Sequence, residues 1–223
     1  MPEGPLARDD LVAALHELAD VLNREGVKAR LYIVGGAAMV LGFSARDMTR
    51  DVDARYYPKA EINRVATEIA KKYRLPQDWL NDNAAMFVSP VTDDDKSQLF
   101  LSLGTVTIRT ASAEALLAMK IRASRQRIDN FDIEFLCEHL KVSSVDQAVG
   151  IFEKYYPEDP LPEHALPILT AILENDPVTP NPLLEIISDT IPTPGPVPAP
   201  GSPDKPTGPD PQPPHQGFGK GPR

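Results

Sequence analysis

Between residues 34 and 53 the chain reads Val34-Gly-Gly-Ala-Ala-Met-Val-Leu-Gly42, then Arg46, then Thr49-Arg-Asp-Val-Asp53. Two adjacent glycines, Gly35 and Gly36, between a strand-forming and a helix-forming run let a phosphate approach the backbone. There it meets the N–H groups that open the helix. On a strand, Asp51 and Asp53 project from one face because side chains alternate with period two, whereas Val52 turns into the core. Two carboxylates so placed can hold Mg²⁺ (or Mn²⁺), which neutralises a triphosphate and aligns an attacking oxygen. An isolated D-x-D is most often solvated edge charge. Here the Gly-Gly turn lies about fifteen residues upstream with Thr49 between, and the nucleotide reading is the stronger one.

These residues need elements to hold them. Leu11, Leu15, Leu18 and Leu22 repeat at helical spacing, so residues 9–25 read as an amphipathic helix that starts at Asp9-Asp10 and ends at Gly26. Arg30–Val34 reads as a strand stopped by Gly35-Gly36, Ala37–Leu41 as a short helix, and Asp51–Tyr57 as a second strand closed by Pro58. Lys59–Tyr73 is a clear helix, with Ile62, Val65, Ala66, Ile69 and Ala70 on one side. Leu75–Asn81 reads as a loop or single turn with Trp79 as a packed anchor. Met86–Val88, Gln98–Leu103 and Thr105–Arg109 read as strands, the last two joined at Gly104. Asp93-Asp94-Asp95 reads as a solvated turn before them. Beyond Arg109 the pattern is helical: Ser112 is a good N-cap, and helices are expected over Phe131–Leu140, Val145–Tyr156 and Glu163–Glu174.

The Gly-Gly turn followed by a D-x-D strand resembles the nucleotidyltransferase superfold that includes DNA polymerase beta. Within it, the spacing looks closest to the AbiEii-like nucleotidyltransferase toxins of bacterial toxin–antitoxin and phage-defence systems. Those proteins also carry a later helical Lys, a basic segment and Asp-x-x-Asp. This chain offers Leu116-Leu-Ala-Met-Lys120, then Arg122, Arg125 and Arg127, then Asp129-Asn-Phe-Asp132. The resemblance covers roughly residues 30–140. It implies that Gly35 and Gly36 shape the nucleotide phosphate turn, that Thr49 contacts phosphate and that Asp51 and Asp53 ligate metal. It further implies that Lys120 contacts the triphosphate and that Asp129 is the later catalytic or structuring carboxylate, with Asp132 one helical turn on. Many members of the superfold carry a third metal-binding carboxylate on a later strand; Gln98–Leu103 and Thr105–Arg109 contain none.

Composition bounds the rest. The tail from Pro177 holds 15 of the 24 Pro and 6 of the 13 Gly in 47 residues, too poor in apolar residues for a core of its own. The expected organisation is therefore a 1–110 core, a helical 111–176 part of the same domain, and a disordered 177–223 tail with an apolar segment at Leu183–Ile187. The expected fold is α/β (α+β), a small mixed sheet flanked by helices. A net charge of −9 argues against a bulk basic surface, although Lys71, Lys72, Arg74 and the Arg122–Arg127 set could meet a phosphate backbone. Cys137, the single cysteine, excludes an internal disulfide and a cysteine zinc site and reads as core. No apolar run approaches a membrane span and the N-terminus does not read as a signal peptide, so a cytoplasmic protein is expected.

The reading that results is an enzyme moving a nucleoside monophosphate from an NTP to an acceptor with release of pyrophosphate. By resemblance the acceptor is tRNA, and the protein is a toxin with a cognate antitoxin partner. Antibiotic nucleotidyltransferases share the Gly-Gly and D-x-D arrangement, so a small-molecule acceptor is the alternative. A non-catalytic nucleotide-binding module, its Pro-rich tail recruiting a partner, is the reading from a different class.

Overall fold

A computed structural model describes residues 4–123 and 130–174; the Pro-rich tail and its expected apolar segment lie outside the described residues. The first element is a two-residue strand, β1 (Leu6–Ala7), followed by helix α1 (Arg8–Arg24) with Asp9 and Asp10 in its first turn. Acidic residues there face the positive end of the helix dipole. Strand β2 (Ala29–Ile33) leads into α2 (Gly35–Phe43), and β3 (Met48–Thr49) precedes β4 (Val52–Tyr57). Helix α3 (Lys59–Tyr73) follows, then β5 (Leu80–Asn81) and a 3₁₀ turn over Asn83–Phe87. Strands β6 (Gln98–Leu103) and β7 (Val106–Thr110) form a hairpin through Gly104, whose φ of +55° suits a residue without a side chain. The described remainder is helical: α4 (Ala113–Ala123), α5 (Asn130–Leu140), α6 (Val145–Tyr155) and α7 (Ala165–Leu173).

The fold is α/β, with one mixed five-stranded sheet in the order β5-β4-β2-β7-β6. β2 runs antiparallel to β4 and parallel to β7, while β4–β5 is parallel and β6–β7 antiparallel. Alternation divides the sheet's faces. Leu31, Ile33, Val52, Ala54, Val106 and Ile108 are buried on the side where α1 and α3 pack against each other and against the strands. Arg30, Tyr32, Asp53, Arg55, Tyr57, Thr107 and Arg109 occupy the opposite face, which is polar, with Arg30, Arg55 and Tyr57 exposed. α4 is apolar on almost every side, with Leu116, Leu117 and Ala118 at 0% exposure, because α5 and α6 both pack on it. Ser112 caps this helix as expected, accepting the Ala115 N–H at 3.1 Å. Among the described residues, no helix is long and apolar enough to cross a membrane.

Three local expectations need correction. Met86–Val88 is not a strand but the end of the 3₁₀ turn, with Met86 74% exposed; three apolar residues are too few to specify a strand without a pairing neighbour. The segment read as a loop up to Asn81 ends in strand β5, because Leu80 and Asn81 pair in parallel with Val52 and Asp53. Trp79 is the anchor that was expected, fully buried and donating from Nε1 to the Ala66 carbonyl at 3.0 Å. Asp93 is no solvated turn residue: it is 9% exposed and lies in a buried hydrogen-bonded hub.

Candidate functional site

Gly35, Gly36, Thr49 and Asp53 meet where β2 runs into α2. Gly35 has φ +61°, a conformation that L side chains rarely adopt, and this lets the chain turn from strand into helix within one residue. The turn is tied to β4 because Val34 N–H donates to the Asp53 carbonyl at 2.9 Å. A Cβ on Gly35 would sit 3.2 Å from Asp53 Oδ2, and a Cβ on Gly36 would sit 2.6 Å from Thr49 Oγ1. The two glycines therefore make room for one carboxylate and one hydroxyl beside the start of α2, where unpaired backbone N–H groups favour negative charge. Thr49 reaches that position through the β1–β3 pairing, in which it stands opposite Leu6. Its hydroxyl also donates to the Asp51 carbonyl, a long 3.3 Å contact.

Asp51 and Asp53 are both half-buried. Asp51 lies one residue before β4 rather than inside it, and its Oδ2 accepts from the Asn81 side-chain amide at 3.0 Å. Asn81 is in turn fixed by accepting the Asn83 N–H at 2.9 Å and by the pairing that sets it beside Asp53. Asn81 was not legible as a site residue, since it closes a segment whose pattern reads as loop.

A charge cluster joins the segment after α2 to α4 and α5. Asp132 of α5 is 1% exposed and faces two cations: Arg46 Nε and Nη2 at 2.7 and 2.6 Å from Oδ1, and Lys120 Nζ at 2.8 Å from Oδ2. Lys120 is therefore a mostly buried lysine at 14% side-chain exposure, joining α4 to α5, rather than a solvated helix residue. A carboxylate this deep is tolerated only because both oxygens meet opposite charge; removing one partner of such a cluster typically costs about 3–5 kcal/mol. Asp129, the later carboxylate expected from sequence, lies outside the described residues, as do Arg125 and Arg127. Arg122 turns toward the C-terminal helices instead, with Nη2 2.7 Å from Asp159 and its guanidinium 4.7 Å from the centre of the Tyr156 ring. Of the other basic set, Lys72 pairs with Glu17 at 2.7 Å.

The second polar centre is Asp93. Its Oδ2 accepts from Tyr32 OH and the Ser112 N–H, each at 2.8 Å, and its Oδ1 from Ser112 Oγ at 2.6 Å and Tyr155 OH at 3.0 Å. The carboxylate thus ties β2 to the start of α4 and the end of α6. Burial, reinforced by the negative charge of Asp93, lifts the Tyr32 phenol well above its usual range, and burial pushes Tyr155 up to about 12. Cys137 is core as expected, 2% exposed, its thiol pushed up to about 11 by burial.

Between the polar face of the sheet, the segment around Ser89–Asp94 and helix α4 is a cavity of about 690 Å³. Arg30, Arg55, Arg109 and Tyr57 line its strand side, and Ala115 and Met119 of α4 the other. Asp53 lies two residues before Arg55 on the same strand and the same face, which is about 7 Å along the sheet.

No protein-family model and no curated protein matches the chain. Among solved structures it is similar to a crystal structure of an antigenic nucleotidyltransferase-like protein from Paracoccidioides brasiliensis. The two are 17% identical with a TM-score of 0.41, over 77% of this chain and 100% of that one.

Proposed function

We propose that the protein transfers a nucleoside monophosphate from an NTP to an acceptor hydroxyl and releases pyrophosphate. The observation that carries this reading is the packing of the Asp53 carboxylate and the Thr49 hydroxyl against Gly35 and Gly36 at the start of α2. A triphosphate laid on that turn would receive backbone N–H groups and the Thr49 hydroxyl, with Lys120 supplying positive charge from α4. Asp129 is the later carboxylate in this reading.

The donor set fits a divalent cation. Asp51 and Asp53 supply hard carboxylate oxygens, and two carboxylates suit Mg²⁺, which keeps its waters and is held by one or two carboxylates together with substrate phosphates. Bound there, the ion would neutralise charge on the triphosphate. The chain's own contribution is to aim the donors: Asn81 orients Asp51, and Asp132 holds the Lys120 ammonium in place. In the transfer itself an acceptor oxygen forms a bond to the α-phosphorus while the bond to the β-phosphate oxygen breaks. Pyrophosphate leaves, and the hydroxyl proton passes to water. The catalytic power asked of the protein is alignment and charge stabilisation rather than covalent chemistry.

The acceptor in this proposal is the end of a tRNA, and the biological role is that of a cytoplasmic growth-inhibiting toxin held in check by a cognate antitoxin. The test is incorporation of each α-labelled NTP, with Mg²⁺, into total bacterial tRNA by wild type and by Asp53→Ala. Label in tRNA with wild type alone is the expected result. Equal label with a folded Asp53→Ala protein would sink the assignment.

A further inference from the structure

The cavity on the polar face of the sheet has a lining that selects a chemical class. Arg30 and Arg55 are exposed, and among the described residues neither has a carboxylate partner. Arg109 is held by neutral acceptors, the Ser97 hydroxyl at 2.7 Å and the Ser97 and Asp94 carbonyls, so its charge is aimed without being neutralised. Two acidic residues on the lining stand against these three arginines: Asp93, which four neutral donors turn into the hub without cancelling its charge, and Asp94, which is exposed; both lie on the segment facing the strands and not on the strands. The strand side is therefore a positively charged shelf in a protein whose formal net charge is −9.

The strand register arranges that shelf. Tyr57 stands directly opposite Arg30 on the neighbouring strand and two residues beyond Arg55 on its own, while Arg55 stands opposite Tyr32. Same-face positions on adjacent strands lie about 5 Å apart when opposite and about 7–8 Å apart on the diagonal. Arg30 and Arg55 are thus spaced to grip neighbouring phosphate oxygens, and guanidinium is the side chain best matched to phosphate. Tyr57 is 76% exposed, an aromatic plane left to solvent beside both arginines. An exposed ring next to guanidinium groups is the combination on which a nucleic-acid base stacks while its backbone is held. The shelf also has a direction: Asp53, Arg55 and Tyr57 follow one another on one face of β4.

We propose that this shelf seats the acceptor, a single-stranded RNA terminus whose hydroxyl end lies toward Asp53, whose phosphodiesters lie between Arg30 and Arg55, and one of whose bases stacks on Tyr57. The proposal rests on the transferase reading for its directionality. It deepens that reading by choosing an anionic polymer over an amine-rich small molecule, which three guanidinium groups would repel.

The experiment uses the full chain and a 5′-fluorescein-labelled single-stranded RNA of about ten nucleotides, within the span such grooves cover. Fluorescence anisotropy is followed without NTP, across a salt series. Wild type is expected to bind. Arg30→Gln and Arg55→Gln should each bind about tenfold more weakly, with a salt slope shallower by about 0.7 for each phosphate no longer neutralised. Tyr57→Ala should weaken binding about tenfold, the scale of one missing base stack, at unchanged salt slope. Lys141→Gln, remote from the shelf, should bind as wild type does. Because the altered side chains are exposed, thermal unfolding should not move. Absence of RNA binding by wild type, or variants that bind as wild type does, would overturn the proposal, as would AMP alone binding as tightly as the RNA. The two readings fail separately. Unaltered RNA binding in the variants alongside NMP transfer by wild type removes the shelf and keeps the transferase. Shelf-dependent RNA binding by a protein that transfers no NMP keeps the shelf and removes the transferase.

Discussion

The hydroxyl of Thr49 fills the space beside Gly36 that any side chain at that position would need, since a Cβ there would lie 2.6 Å from Oγ1. The two stand thirteen positions apart in the sequence, and α2, the loop after it and the β1–β3 pairing bring them together. The contact couples the shape of the turn to the placement of a hydroxyl that faces the start of α2.

That coupling makes Gly36→Ala costly. In an ordinary helix the change would stabilise by roughly 0.5–1 kcal/mol. Here it should destabilise by about 1–3 kcal/mol, as overpacking does, and weaken NTP binding about tenfold or more. Adding Thr49→Ala removes the overlap and should restore the stability without restoring full NTP affinity. Urea midpoints and equilibrium dialysis with labelled NTP measure the two effects separately; a Gly36→Ala protein that binds NTP normally would contradict the assigned role of the turn.

Asn81 acts through Asp51 by donating to its Oδ2 at 3.0 Å. Asn81→Ala should lower NMP transfer by about 10–100-fold, the usual cost of losing a residue that orients a metal-binding side chain. The concentration of Mg²⁺ needed for half-maximal rate should rise with it. A lower rate at unchanged Mg²⁺ requirement would mean that Asn81 matters only to the fold.

The Arg46–Asp132–Lys120 cluster separates stability from activity. Asp132→Ala removes the buried carboxylate that pairs with both Arg46 and Lys120 and should cost about 3–5 kcal/mol by urea unfolding. Replacing the cluster as a whole with Arg46→Met, Asp132→Leu and Lys120→Met should recover most of that stability, because the desolvation cost of the charges disappears together with their attraction. NMP transfer should be abolished in the triple variant, which lacks the Lys120 ammonium. Transfer at the wild-type rate there would show that Lys120 serves the fold alone.

Tyr155 predicts an alkaline limb. Its phenol is pushed up to about 12 in the folded protein, first by burial and then by the charge of Asp93, against an ordinary value of about 10. Between those two values the folded state keeps a proton that the unfolded state has released, so stability falls as pH rises, by up to about 1.4 kcal/mol per pH unit for one group. Below pH 10 the contribution is fully present. Tyr155→Phe should make the decline of the melting temperature between pH 10 and pH 12 shallower, and an unchanged decline would place the titration elsewhere.

Short-range pattern was enough to place most of the elements. The leucine spacing of α1, the apolar side of α3, the alternation of β4 and the Ser112 cap are each set by neighbours within one or two turns of chain, where periodicity and capping chemistry act. The same locality made the Gly35-Gly36 turn and the Asp51 and Asp53 pair visible as one constellation. Tertiary structure decided what depends on partners far along the chain. Asn81 meets Asp51 across 30 residues, Tyr32 meets Asp93 across 61, and Arg46 meets Asp132 across 86. An aspartate has the same local signature whether water or four buried donors satisfy it, so only packing distinguishes Asp93 from a solvated turn residue. The basic shelf follows the same logic. Arg30, Arg55 and Arg109 are scattered single charges in the sequence, and it is the register of three strands that gathers them on one face.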